Sequence, residues 1–264
     1  MYGTILIYHT IGDSEARSDD IYELPFNDFR MQMGHIYTDG YKVVSMKNVI
    51  NSRKTHKETA SKPIALTFDD GRLSDFTLVY PLLEKYGFTA VFFIIVNFIG
   101  MRGYMSWEQL RELNSNGMTI GSHTMNHQIL TKMKEPDIEF ELKESKRILE
   151  QKLLSPIDFL SIPRGFWNRR IADIARGAGY KGVFTSDEGH NDLNKDIYIF
   201  KRIVVRRDYS LNRFKEIVNN GKKFLLMKKM ESFIRTGVKR LLSLEVYEML
   251  KRNWLNFTEN HRKC

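Results

Sequence analysis

Two acids stand side by side at Asp69-Asp70, directly after the apolar run Ile64–Phe68 and before Gly71. Adjacent carboxylates repel, so holding both beside a buried run is costly unless a cation or proton is shared. Further along, His123 and His127 have the spacing that brings two imidazoles to one side of a helical turn, an arrangement used to grip zinc. One carboxylate with two histidines leaves coordination positions open, which marks a catalytic rather than a structural metal site. Each motif alone is weak. Asp-Gly is a common turn with helix-capping acids, and a histidine pair is often just surface. What decides is where the chain places them.

The chain alternates short apolar, β-branched runs with longer amphipathic stretches, the pattern of βα units. Strands are expected at Thr4–Tyr8, Lys42–Ser45, Ile64–Phe68, Ala90–Ile95, around Thr119–Ile120, Ile157–Ser161, Gly182–Thr185 and Ile203–Val205. Helices are expected over 26–38, 74–86, 106–116, 137–153 and 168–178. Ser106-Trp107-Glu108-Gln109 reads as a capping box, and Gly87, Gly117 and Gly179 each end a helix just before an apolar run. Strand, helix, glycine, strand is a parallel-sheet rhythm, and its repetition points to a (β/α) barrel. In such barrels chemistry collects where strands end. Here the strand ends carry His9, then Asp69-Asp70-Gly71, then His123 to His127, then Ser161-Ile162-Pro163-Arg164-Gly165.

Thr67-Phe68-Asp69-Asp70-Gly71, then His123-Thr124-x-x-His127, then Pro163-Arg164-Gly165 together resemble the polysaccharide deacetylase family (carbohydrate esterase family 4, the NodB homology domain). The resemblance spans roughly residues 1–205 and implies a distorted (β/α) barrel of seven or eight strands. It implies Asp70, His123 and His127 as ligands of one divalent ion, zinc first, with cobalt, nickel or manganese as substitutes. It also implies Asp69 as the general base. Two departures stand out. Many members carry arginine two residues before the proline of the third motif, where this chain has Ser161, leaving Arg164, Arg202 or another basic group to steady the base, or the base less well held. The late Leu-x-His motif that supplies the general acid is absent. Ile7-Tyr8-His9 resembles instead the N-terminal Tyr-His of the branch that includes the poly-N-acetylglucosamine deacetylases, where this histidine fills the acid's place.

The implied reaction is metal-dependent hydrolysis of an N-acetyl group on an amino sugar. Asp69 would act as base, His9 as acid, and the Arg164 amide in the Pro163–Gly165 turn as oxyanion donor, with Trp167 as a stacking surface for sugar. Removal of formyl or O-acetyl groups, action on another, non-sugar amide, and a catalytically silent carbohydrate-binding relative are the alternatives.

The chain has 264 residues, 42% hydrophobic and 28% charged, enough to bury one large core. Its single cysteine, Cys264, excludes both a disulfide framework and a cysteine-based metal site. The N-terminus lacks a basic leader, and the apolar stretch 90–99 is half the length needed to cross a bilayer, so a cytoplasmic location is expected. Net charge is +9, of which residues 222–252 hold +6 (nine Lys/Arg against three Glu). No nucleic-acid motif accompanies that charge, so no nucleic-acid partner is expected. The expected organisation is a barrel domain over 1–208 and a basic helical extension over 209–264 packed on it. That extension is a candidate contact with an anionic membrane at its inner face.

Overall fold

The computed structural model describes residues 2–12, 20–55, 63–193 and 197–219. Its strands are β1 (Tyr2–Tyr8), β2 (Thr10–Gly12), β3 (Glu23–Pro25), β4 (Lys42–Val43), β5 (Pro63–Phe68), β6 (Ala90–Ile94) and β7 (Thr119–Ser122), followed by β8 (Phe159–Ser161), β9 (Gly182–Phe184), β10 (Asn191–Asp192), β11 (Ile199–Phe200) and β12 (Ile203–Val204). The helices are α1 (Phe26–Thr38), α2 (Met46–Thr55), α3 (Tyr80–Tyr86), α4 (Trp107–Ser115), α5 (Glu135–Leu153), α6 (Arg169–Gly177) and α7 (Leu211–Val218).

Neighbours β1, β5, β6, β7, β8 and β9 pair in parallel, and β11 continues the row beside β9. β12 pairs in parallel with the opposite end of the row, on the edge of β1 away from β5, through Leu6↔Ile203 and Ile7↔Val204. Only Lys201-Arg202 separates β11 from β12, so the two halves of one broken strand bring the sheet round to a nearly closed barrel. This is the distorted (β/α) barrel expected from the sequence.

Side chains alternate across a strand, so residues of one parity face the interior. Ile5, Ala65, Val91, Phe93, Phe159, Phe184 and Phe200 share that face and form one core cluster. The opposite parity is just as apolar, because the helices cover it: Leu6, Leu66, Phe68, Phe92, Ile120 and Leu160 are all buried. Tyr8, Phe68 and Phe92 stack across β1, β5 and β6, with Phe29 of α1 edge-on against the first two.

The local signals worked as chemistry requires. Ser106 and Gln109 form a reciprocal capping box, and Gly87 takes φ 65° to end α3, with its N–H on the Glu84 carbonyl. Besides the short strands β2, β3, β10 and β11, which were not expected, two helical regions differ from expectation. α2 was not foreseen, and the helix expected over 74–86 is split into a π-helical turn, Asp75–Val79, and α3. The compact unit that holds the barrel runs from Met1 to Gly221 and includes α7, whose Phe214 is buried against His35 of α1. The rest of the expected C-terminal extension, with its basic stretch 222–252, lies outside the described residues. Among the described residues no helix is long and apolar enough to cross a membrane.

Candidate active site

The interior parity continues past the ends of the strands. Ile7 leads to His9, Thr67 to Asp69, Gly121 to His123, Phe159 to Ser161 and Phe200 to Arg202, each two residues on. A strand whose alternate residues face the barrel interior therefore delivers the next residue of that parity to its mouth, and five strands deliver five polar side chains.

Asp69 cannot be followed inward by Asp70 on the same pleat. The chain solves this with a left-handed turn, φ 78° at Asp70 and 73° at Gly71, which swings the second carboxylate to the histidines. Asp70 Oδ1 lies 3.6 Å from His123 Nε2 and 3.7 Å from His127 Nε2. The ring centroids of the two histidines are 4.8 Å apart. The predicted helical turn between these histidines is absent: residues 123–127 form a loop, with Thr124 at φ 68° and His127 at φ 57°. Thr124 Oγ1 accepts the His127 N–H at 3.1 Å, so a side chain replaces the backbone acceptor that a helix would have used.

The donor set fits a divalent cation. Carboxylate and imidazole bonds to zinc run about 2.0–2.2 Å, which asks for donor atoms roughly 3–4 Å apart. Ligand atoms of Asp70, His123 and His127 all lie within 4.8 Å of one another. His123 Nδ1 donates to the Ser161 carbonyl at 2.8 Å, fixing the tautomer that turns the Nε2 lone pair to the site. Burial, with His123 next, holds His127 down to about 4, so its imidazole is neutral at pH 7.

Asp69 has a different partner. Its carboxylate receives two parallel bonds from Arg202, Nη1 to Oδ1 at 2.7 Å and Nη2 to Oδ2 at 2.9 Å. Ser161 Oγ donates to Oδ2 at 2.9 Å and accepts from Arg202 Nη2 at 2.8 Å. The guanidinium is completely buried, with Nε on the Thr185 carbonyl at 3.0 Å and Nη1 on Thr67 Oγ1 at 3.2 Å. Burial alone would raise the pKa of Asp69, but Arg202, His123 and His9 outweigh it and keep the carboxylate well below its usual range. The two adjacent acids thus share no single cation. One is neutralised by Arg202, the other faces the histidines.

The half-buried His9 ring packs 5.1 Å from Tyr22, centroid to centroid, and its Nδ1 is buried with no partner among the described residues. Burial lowers its pKa from 6.5, countered in part by Asp69 and Asp70. The turn at Pro163-Arg164-Gly165 has two successive left-handed residues, φ 56° and 68°. A Cβ on Gly165 would come 2.7 Å from that of Ser186, so glycine is required there. Arg164 is exposed and acts electrostatically on His127. Trp167 is half-buried, and its Nε1 donates to Asp187 Oδ2 at 2.8 Å; the Asp187 carbonyl in turn accepts the Arg202 N–H.

His190 is held away from this mouth. Its Nδ1 meets Thr4 Oγ1 at 3.0 Å near the start of β1, five residues from His9 and so roughly 16 Å along the strand. Burial takes its pKa from 6.5 to about 4. The unfolded chain then binds the proton more tightly, so this contribution to stability is present above 6.5 and is lost as pH falls toward 4. Between pH 7 and 4.5 the wild type is expected to lose more melting temperature than His190→Asn. Parallel curves for the two proteins would refute this.

The nearly closed (β/α) barrel, with an Asp-His-His cluster and a buried Asp–Arg pair at its mouth, is similar to the polysaccharide deacetylases, hydrolases of carbon–nitrogen bonds. Residues 56–183 of the chain match the sequence model of the polysaccharide deacetylase family. YxkH of Bacillus subtilis (strain 168) is 27% identical over 218 residues, 83% of this chain and 76% of that protein. The poly-beta-1,6-N-acetyl-D-glucosamine N-deacetylase of Staphylococcus aureus (strain MRSA252) is 23% identical over 209 residues, 74% of this chain and 72% of its own. Among solved structures, the Streptococcus pyogenes deacetylase PplD in complex with acetate has the same fold, with a TM-score of 0.76 and 24% identity over 83% of this chain and 98% of that one.

Proposed function

We propose that this protein is a metal-dependent N-deacetylase that frees the amine of an N-acetylated amino sugar in a glycan. The observation that carries the reading is the division of the acidic pair: Asp70 stands with two histidines while Asp69, beside them, is locked by Arg202 and Ser161. Support for the substrate comes from the Staphylococcus aureus relative, which is named for poly-N-acetylglucosamine.

A divalent cation held by Asp70, His123 and His127 would polarise the acetyl carbonyl and bring the pKa of a water toward neutrality. Asp69, kept ionised by Arg202, accepts a proton from the attacking water. The backbone N–H of Arg164 is the donor assigned to the developing oxyanion. His9 delivers a proton to the leaving nitrogen as the carbon–nitrogen bond breaks, and acetate and free amine result. Its depressed pKa makes a protonated His9 a stronger acid than a free imidazolium. Pro163 and Gly165 shape the turn, and Trp167, braced by Asp187, offers the sugar a flat face.

The test is acetate release from N-acetylglucosamine oligomers before and after chelation. Activity is expected to fall to background with a chelator and to return with zinc or cobalt. Acetate release that survives complete removal of metal would end the metal-dependent reading.

A further inference from the structure

The loop that carries both histidines has no helix or ladder to satisfy its backbone. Instead, four consecutive N–H groups are taken by side-chain oxygens. Thr124 N donates to Ser122 Oγ at 3.1 Å, and His127 N to Thr124 Oγ1 at 3.1 Å. Between them, Met125 N and Asn126 N both donate to Glu141 Oε2, at 2.8 and 3.0 Å. Glu141 Oε1 accepts from Asn126 Nδ2 at 2.6 Å, and Asn126 Oδ1 accepts from Asn97 Nδ2 at 2.6 Å. The carbonyls of Thr124 and Met125 accept the N–H groups of Val96 and Asn97 at 3.1 Å.

Glu141 lies on the buried face of α5 with Ile138, Leu142, Ser145 and Leu149, and is 2% exposed. An apolar residue would suit that packing, and a carboxylate there is costly unless its bonds are needed. The loop supplies the need. Thr124 and His127 both hold left-handed φ without being glycine, and such strain persists only where the surroundings over-determine it. Thr124, Met125 and Asn126 span from one histidine to the other, and Glu141 clamps the N–H groups of two of the three.

We infer that Glu141 is a positioning residue that fixes the affinity and coordination geometry of the Asp70–His123–His127 centre; this rests on the metal-centre reading above. The experiment uses the full chain and its Glu141→Ala and Glu141→Gln variants. Zinc affinity is measured by competition with a chromophoric chelator, and the cobalt-substituted proteins are compared by visible absorption. Glu141→Ala is expected to weaken zinc binding about 10–100-fold and to alter the cobalt bands. Glu141→Gln keeps one oxygen for the two backbone donors but turns a donor toward Asn126 or those N–H groups, so a smaller loss is expected. If Glu141→Ala does not fold, the glutamine variant decides alone. Unchanged zinc affinity and cobalt spectrum in the folded variants, even with a lower melting temperature, would overturn the inference and leave the proposed function standing. A wild-type chain that binds no zinc or cobalt would instead overturn the metal centre, and the inference with it.

Discussion

Asp69→Asn is expected to lower kcat/KM for acetate release by about 10²–10⁴-fold while the protein still binds one equivalent of zinc. The substitution leaves Asp70, His123 and His127 in place, so the donor set survives. What goes is the carboxylate that, alone among the described residues, both meets Arg202 and faces His123, with Oδ2 3.9 Å from its Nε2. An amide keeps one acceptor oxygen, while its NH2 would point a donor at Arg202 or Ser161, each of which already donates there. The guanidinium then loses its counter-charge inside the barrel. A loss of stability on the order of 3–5 kcal/mol should accompany the loss of turnover. Assays therefore belong well below the melting temperature, with bound metal quantified in the same sample. Turnover near that of the wild type in zinc-loaded Asp69→Asn would remove Asp69 from the mechanism.

The second large effect concerns Arg202, which no motif announces. Arg202→Met fits the volume but strands Asp69 as a buried carboxylate with Ser161 as its remaining side-chain donor among the described residues, and is expected to cost on the order of 3–5 kcal/mol. Arg202→Lys keeps the charge and should recover part of the stability. It cannot reproduce the parallel pair on Asp69 together with the bonds to Thr67, Thr185 and Ser161, so activity should stay low. The measurements are a denaturant titration and kcat/KM for each variant. A lysine variant with full stability and full activity would show that charge alone matters there. Many family members place an arginine where this chain has Ser161. Here the guanidinium arrives from the break between β11 and β12, and Ser161 joins it as a hydrogen-bond partner.

That relocation shows why the site was only partly readable. Asp69-Asp70-Gly71 and His123 to His127 are short-range signals, each set within one strand end, and their types and spacing name the chemistry without any structure. Arg202 becomes meaningful only across the barrel, 133 positions from the carboxylate it meets. A signal was present: read with a period of two, Phe200, Arg202 and Val204 share a face, which puts a charge among interior positions. Glu141 left a similar trace, occupying an apolar helical position between Ile138 and Leu142. Neither trace says which partner pays for the burial.

The sequence by itself determined the parallel (β/α) rhythm, most of the strands and helices, and which residue types reach the barrel mouth. These follow from periodicity, capping and turn chemistry, all local forces acting over a few residues. The tertiary structure alone decided that the two acids part company, that residues 123–127 form a strained loop rather than a helical turn, and that Arg202 and Glu141 hold the two halves of the site. Those outcomes depend on burial. A charge or an N–H removed from water must find a partner, and only the folded chain fixes which groups are within reach.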